Sequence, residues 1–214
     1  MHNMVIAAGL SLLVAGSVTA TRAADFNMTS PMPVSGWDGF YAGANLGYGM
    51  GIVDHVGSTI GDLTTSGALI GGQLGYNFTV GGGLVVGVQG DIDFTNMTGT
   101  YTAGPTITQT NTWEGALTGH LGYDAGQVMP YVLAGVTAVG TTRSTNIFGG
   151  LSESAFIGGF TVGGGAAIRI SDMASLFAEA RYNNYGSHTY TSLPSAPVVT
   201  MTSTEVRGGV NFHF

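Results

Sequence analysis

The chain has no cysteine and no lysine, and only 8% of its residues are charged. Without thiols it builds neither disulfides nor thiolate metal centres. Its five cations are all arginine, set against 12 acidic residues for a formal net charge of −7, which leaves no basic footprint for a nucleic acid. A soluble domain carries about 25% charged residues, so this chain does not cover itself with an ordinary aqueous surface. Past the N-terminus it also lacks any run near the ~20 continuous apolar residues of a membrane helix. What it has instead is 44% hydrophobic residues dispersed at period two, the composition that alternating membrane strands produce. Its 37 glycines, with abundant Thr, Ser and Asn, oppose helices and favour strands joined by turns. Disorder, the rival reading of a Gly/Thr-rich chain, is opposed by 10 Phe, 9 Tyr and regularly spaced Val, Ile and Leu.

Residues 4–18 form an apolar core of signal-peptide length, and small residues follow that suit cleavage after Ala20 or Ala23. The expected organisation is therefore a signal peptide at 1–23, a polar lead at 24–36 and one β-barrel domain at 37–214. The apolar core is preceded by His2 and the terminal amine rather than by a basic residue.

Alternation then predicts eight strands. In the first, Phe40, Ala42, Ala44, Leu46 and Tyr48 share one face, with Tyr41, Gly43, Asn45, Gly47 and Gly49 on the other. Residues 65–78 place Leu74, Tyr76 and Phe78 opposite Gln73 and Asn77, and residues 83–95 place Val88, Ile92 and Phe94 opposite Gln89, Asp91 and Asp93. Residues 112–123 set Trp113, Leu117 and Leu121 against Glu114, Thr118 and His120. Residues 128–140 are apolar on both faces and cannot be oriented from sequence. The sixth strand, 154–170, turns Phe156, Phe160 and Ile168 outward and Thr161 and Arg169 inward. The seventh sets Leu176, Ala178 and Tyr182 against Phe177, Glu179, Arg181 and Asn183. In the last, Val206, Phe212 and Phe214 oppose Glu205, Arg207, Asn211 and His213.

A strand with arginine and glutamate opposite phenylalanine fits an eight-stranded antiparallel transmembrane β-barrel, wet inside and apolar outside. Connector lengths agree. The stretches 51–64, 96–111, 141–153 and 186–199 read as long loops, whereas the alternate connections are only a few residues. Long extracellular loops and short periplasmic turns are the asymmetry of outer-membrane barrels.

Four stretches carry a family resemblance: Trp37-Asp-Gly-Phe-Tyr-Ala-Gly43, Gly159-Phe-Thr-Val-Gly-Gly-Gly165, Ser175-Leu-Phe-Ala-Glu-Ala-Arg-Tyr182 and Val206-Arg-Gly-Gly-Val-Asn-Phe-His-Phe214. They resemble the opacity-like small outer-membrane proteins of alphaproteobacteria, the major surface antigens of the twenty-five/thirty-one type. Arg207, Gly209, Phe212 and Phe214 are similar to the C-terminal assembly signal of outer-membrane barrels. The resemblance implies an abundant protein of the cell outer membrane that supports envelope integrity and is sometimes porin-like, with some relatives binding haemin or host surfaces. It also implies outer-membrane lipids, lipopolysaccharide, the barrel-assembly machinery and periplasmic chaperones as partners.

The only dense charge is the inward set Asp91, Asp93, Glu114, Arg169, Glu179, Arg181, Glu205 and Arg207. An eight-stranded interior is just wide enough to be filled by side chains, so an arginine–carboxylate plug is expected ahead of a narrow porin-like channel. No Ser–His–acid set emerges at strand spacing, so no enzyme is expected. His55 and His188 are the candidate ligands for haem iron, read otherwise as solvated loop residues, with Tyr101 and Tyr190 as further candidates. Arg143 is the single cation of the expected loops. No resident cofactor or metal is expected.

Overall fold

A computed structural model describes residues 36–55, 62–102, 106–146, 150–191 and 198–214. The expected signal segment and most of the lead lie outside the described residues. Nine antiparallel strands form one barrel-like sheet: β1 (Gly39–His55), β2 (Leu63–Gly81), β3 (Leu84–Thr95), β4 (Thr98–Thr102), β5 (Thr106–Tyr123), β6 (Val128–Thr145), β7 (Leu151–Ser171), β8 (Ala174–Thr189) and β9 (Val198–His213). β1 pairs with β2 on one side and with β9 on the other, from Tyr41↔His213 to His55↔Val199.

Among the described residues nine strands stand where eight were expected, because residues 98–102 form a strand that pairs with residues 106–110 of a longer β5, where a loop was expected. β4 pairs with the start of β5 from Thr98↔Thr110 to Thr102↔Thr106. Threonine is β-branched and comfortable on a pleated surface, and here its hydroxyls bond across the hairpin, Thr98 to Thr110 at 3.3 Å and Thr100 to Thr108 at 3.4 Å. The other expected loops are shortened in the same way. Thr142 pairs with Ser154 at 3.0 Å and Ser187 with Thr200 at 2.9 Å on strands that run past the expected ends. At the opposite end the turns are tight. Gly81 and Gly82 take φ of 107° and 61° between β2 and β3, and Asp124 Oδ1 accepts the Gly126 amide at 2.8 Å between β5 and β6.

The outer face explains the low charge. Leu46 and Phe94 are each 68% exposed and Ile70 65%, an apolar surface that only lipid covers. The 18 residues of β5 extend ~60 Å along the strand and ~40 Å along a barrel axis at ~45° tilt, well beyond an apolar band ~25 Å tall. The excess is the Thr/Ser-rich end. On β9 the outward series runs Thr200, Thr202, Thr204 and then Val206, Gly208, Val210 and Phe212, from hydroxyl to hydrocarbon. The unorientable strand is β6, with Val132 and Val136 about 60% exposed to lipid while Leu133 and Val139 are buried inside.

Candidate functional site in the lumen

Because side chains alternate, residues two apart on one strand point into the interior together. Asp91 and Asp93 on β3, Glu179 and Arg181 on β8, and Glu205 and Arg207 on β9 are such pairs, and Glu114 lies opposite Asp93 on β5. Their side chains are 0–4% exposed. Arg181 holds Asp91 at 2.9 Å and also binds Glu179. Arg207 contacts four carboxylates: Asp93 at 3.0 Å and Asp91 at 3.4 Å through Nη1, Glu205 at 2.8 Å and Glu114 at 3.2 Å through Nη2. A guanidinium is suited to this because its five donors lie in a fixed plane. Gly71 leaves the room: a Cβ there would stand 2.0 Å from Asp93 Oδ1.

Arg169, expected in this network, is elsewhere. Its guanidinium lies 5.2 Å from the Trp37 ring and donates to the Asp172 carbonyl at 3.0 Å, at the end bearing the short turns. Inward parity alone does not report height along the barrel. Trp37 is 1% exposed and donates through Nε1 to the Gly126 carbonyl at 3.2 Å, flooring the interior. In the sequence it shows only as the opening of the first strand. Between this floor and the ionic layer lie Tyr41, Gln73, Asn77, His120, Tyr131 and Asn211, around a cavity of about 20 Å³. That is room for about one water. His120 bonds Asn77 at 2.7 Å, and Ser175 bonds His213 Nε2 at 2.9 Å. The Ser175–His213 pair is not a triad, since His213 Nδ1 has no partner and Ser175 is buried.

Above the ionic layer lies an apolar cluster of Val53, Leu63, Val139, Ile157, Tyr185, Tyr190, Val199 and Met201, with buried polar side chains set into it. Arg143 and His55, expected as solvated loop residues, are buried here. Arg143 Nη2 lies 2.6 Å from His55 Nε2, its Nη1 donates to Gln109 at 3.2 Å, and its guanidinium stands 5.6 Å from the Tyr190 ring. His188 meets Tyr190 edge-on at 5.0 Å and Gln109 donates to the Tyr190 hydroxyl at 3.3 Å. Burial pushes the Tyr190 phenol up. The missed signal was present. On β6 period-two alternation runs on through Val139, Thr141 and Arg143, whereas on β5 a bulge between Asn111 and Trp113 shifts it, so Gln109 and Asn111 face inward with the opposite parity to Glu114. Among the described residues no group of three or more His, Asp or Glu could hold a metal ion.

Known proteins share this chain's pattern. A family model described as outer membrane protein beta-barrel domain matches residues 10–214. The chain is 29% identical over 220 residues to the 25 kDa outer-membrane immunogenic protein of Brucella abortus, covering 100% of this chain and 99% of that one. It is 28% identical to the 31 kDa outer-membrane immunogenic protein of Brucella melitensis, covering 95% and 94%. A 22 kDa outer membrane protein of Rhizobium leguminosarum is 29% identical over 160 residues, covering 74% and 69%. The crystal structure of Neisserial surface protein A superposes with a TM-score of 0.50 at 18% identity, covering 85% of this chain and 99% of that one, a likeness of fold.

Proposed function

The chain belongs to the outer membrane protein beta-barrel domain family, and from that premise we propose that it is a closed barrel with eight positions around its wall and a plugged lumen. It is a structural protein of the bacterial outer membrane, with outer-membrane lipids, lipopolysaccharide and the barrel-assembly machinery as its partners. Support for closure comes from β1, which pairs with β2 and with β9, while β4 is an appendage of the β2–β3–β5 region.

One observation carries the plug: Arg207 ties together carboxylates from β3, β5 and β9 across the interior. With Trp37 below and the Tyr190–Arg143 layer above, three successive layers obstruct the same path. The protein then supports the envelope as a rigid wall element rather than as a solute pore. Planar-bilayer recording on refolded protein tests this. The expected trace is silent at moderate voltage, and reproducible open-porin steps would sink the plug in favour of a narrow channel.

Surface binding of haem or a host molecule is the weaker reading. His55 would first have to leave Arg143, and His188 to leave Tyr190. Arg207, Gly209, Phe212 and Phe214 are proposed as the assembly signal, supported by the outward exposure of both phenylalanines at the end of the last strand.

A further inference from the structure

Outside the lumen, the upper wall carries hydroxyls in rows. Sheet register sets Thr98, Thr110, Thr142 and Ser154 side by side on β4, β5, β6 and β7. Two residues farther up, Thr100, Thr108, Ser144 and Ser152 form a second row. These side chains point away from the lumen, and Gly99, Gln109 and Arg143, which alternate with them, are buried. Adjacent strands lie ~4.8 Å apart and same-face residues ~7 Å apart along a strand, so the two rows make a regular lattice of hydroxyls.

Height and chemistry both select what lies against these rows. Immediately below them Phe94 pairs with Trp113 and Gly140 with Phe156, and the Trp113 and Phe156 rings stand 5.6 Å apart. Gly140 makes room for the indole, since a Cβ there would be 2.2 Å from Trp113 Nε1. Such an aromatic row marks the edge of the hydrocarbon. Thr142 and Ser154 lie two residues beyond Gly140 and Phe156, so the lattice stands in the headgroup layer of the outer leaflet. Neither row holds a charged residue. Arg143, Arg181 and Arg207 are buried in the lumen and Arg169 sits at the short-turn end. Thr98 with Thr110, Thr100 with Thr108 and Thr142 with Ser154 already bond each other. Because a hydroxyl has one donor and two acceptor sites, a bonded pair keeps one donor and three acceptor sites free. A phosphate only accepts, whereas a sugar hydroxyl also donates.

We propose that the two rows are a docking surface for the neutral sugars of outer-leaflet glycolipid, taken in preference to its phosphates. The strand spacing is comparable to the separation of hydroxyls on opposite sides of a hexose ring, so one ring bridges two strands. The short strand β4, an appendage to the eight wall positions, widens the lattice through Thr98, Thr100 and Thr102. The inference rests on the outer-membrane barrel reading and adds to it the headgroup chemistry that the wall grips, and where.

The chain's two tryptophans supply the readout. Trp113 lies beside the rows on the lipid face and Trp37 is buried in the lumen, so lipids brominated on their acyl chains quench Trp113 alone. With the full refolded protein in phosphatidylcholine vesicles, brominated digalactosyl diacylglycerol should associate about threefold more strongly than brominated phosphatidylcholine, the size of a single net hydrogen bond. Brominated phosphatidic acid should show no preference. Thr108→Val with Thr142→Val removes a hydroxyl from each row, keeps the branched Cβ that suits a strand, and should bring the galactolipid to parity. Ser152→Ala with Ser154→Ala should do the same, and serves if the first pair does not refold. Thr202→Val, on β9 outside the rows, should keep the full preference. Equal association of all three lipids would leave the rows to solvent or to another protein, and phosphatidic acid matching the galactolipid would make them a phosphate surface. Either result overturns the proposal, as does a preference that survives both pairs of substitutions. Heat-modifiable gel mobility from the same vesicles reports the barrel separately. A folded barrel without sugar preference refutes the docking surface alone, and a chain that never folds into the vesicles refutes both.

Discussion

Arg207 on β9 reaches Asp93 on β3 across the barrel interior, Nη1 to Oδ2 at 3.0 Å, joining residues 114 positions apart in sequence. That one contact links the last strand to the first third of the domain. The surrounding contacts to Asp91, Glu114 and Glu205 make Arg207 the junction of the ionic layer.

Arg207→Ala should insert in the membrane but lose ~3–5 kcal/mol, because removing one partner of a buried ion cluster leaves the others uncompensated. The check is the temperature at which the heat-modifiable band converts. Arg207→Lys should fall between, since one ammonium cannot fork between Nη1-type and Nη2-type partners. Equal midpoints for wild type and Arg207→Ala would remove the arginine from the stability of the wall.

Trp37→Ala should unfloor the turn-bearing end and cost ~3–5 kcal/mol, the usual range for deleting a buried aromatic side chain. The absence of native cysteine gives a direct reading. Ser175→Cys, buried beside His213, should resist a water-soluble thiol reagent with Trp37 present and react when Trp37→Ala is added. Equal labelling in both backgrounds would show that the indole does not seal the interior.

The outward face of β9 locates the apolar band. Val206→Arg should destabilise by ~2–4 kcal/mol, as a cation near mid-bilayer does, whereas Thr202→Arg should cost ~0–1 kcal/mol. Refolding into lipid vesicles over a denaturant series measures both. Equal penalties would mean that the hydroxyl-rich strand ends are immersed in lipid.

Much of this is legible in the sequence because a lipid-facing wall forces period two through the membrane-spanning part of each strand, the register shifts falling toward the strand ends. Leu46, Ile92, Leu117 and Val206 lie outside, and Asn45, Asp91, Glu114 and Arg207 inside, as alternation requires. Two kinds of information were not. Alternation gives the face but not the level, so Arg169 was grouped with arginines of the ionic layer although it sits on Trp37. Alternation also fails where both faces are apolar. β6 could not be oriented because Leu133 and Val139 face a lumen that is itself partly hydrocarbon. The stretch 96–111 reads as a connector because the alternation of 112–123 does not carry across the bulge between Asn111 and Trp113, yet threonine's branched Cβ and cross-strand hydroxyl pairs hold residues 98–102 and 106–110 in strand.

Deleting Phe214 should separate assembly from stability. The truncated chain should accumulate in the periplasmic fraction as protease-sensitive protein, while Arg207→Ala fractionates with the outer membrane. Normal membrane delivery of the truncated chain would take the assembly role away from the terminal aromatic.

The ionic layer is also divided along the direction of synthesis. Its acids Asp91, Asp93 and Glu114 come early in the chain, and the two arginines that answer them, Arg181 and Arg207, come on the final two strands. A wall lacking those strands therefore carries three uncompensated carboxylates on its inner surface. A one-residue slip of β9 would send Arg207 into lipid and turn Val206 inward. Completion and correct alignment therefore meet in the same contacts: only the last two strands, in register, bring Arg181 and Arg207 among the acids of β3 and β5.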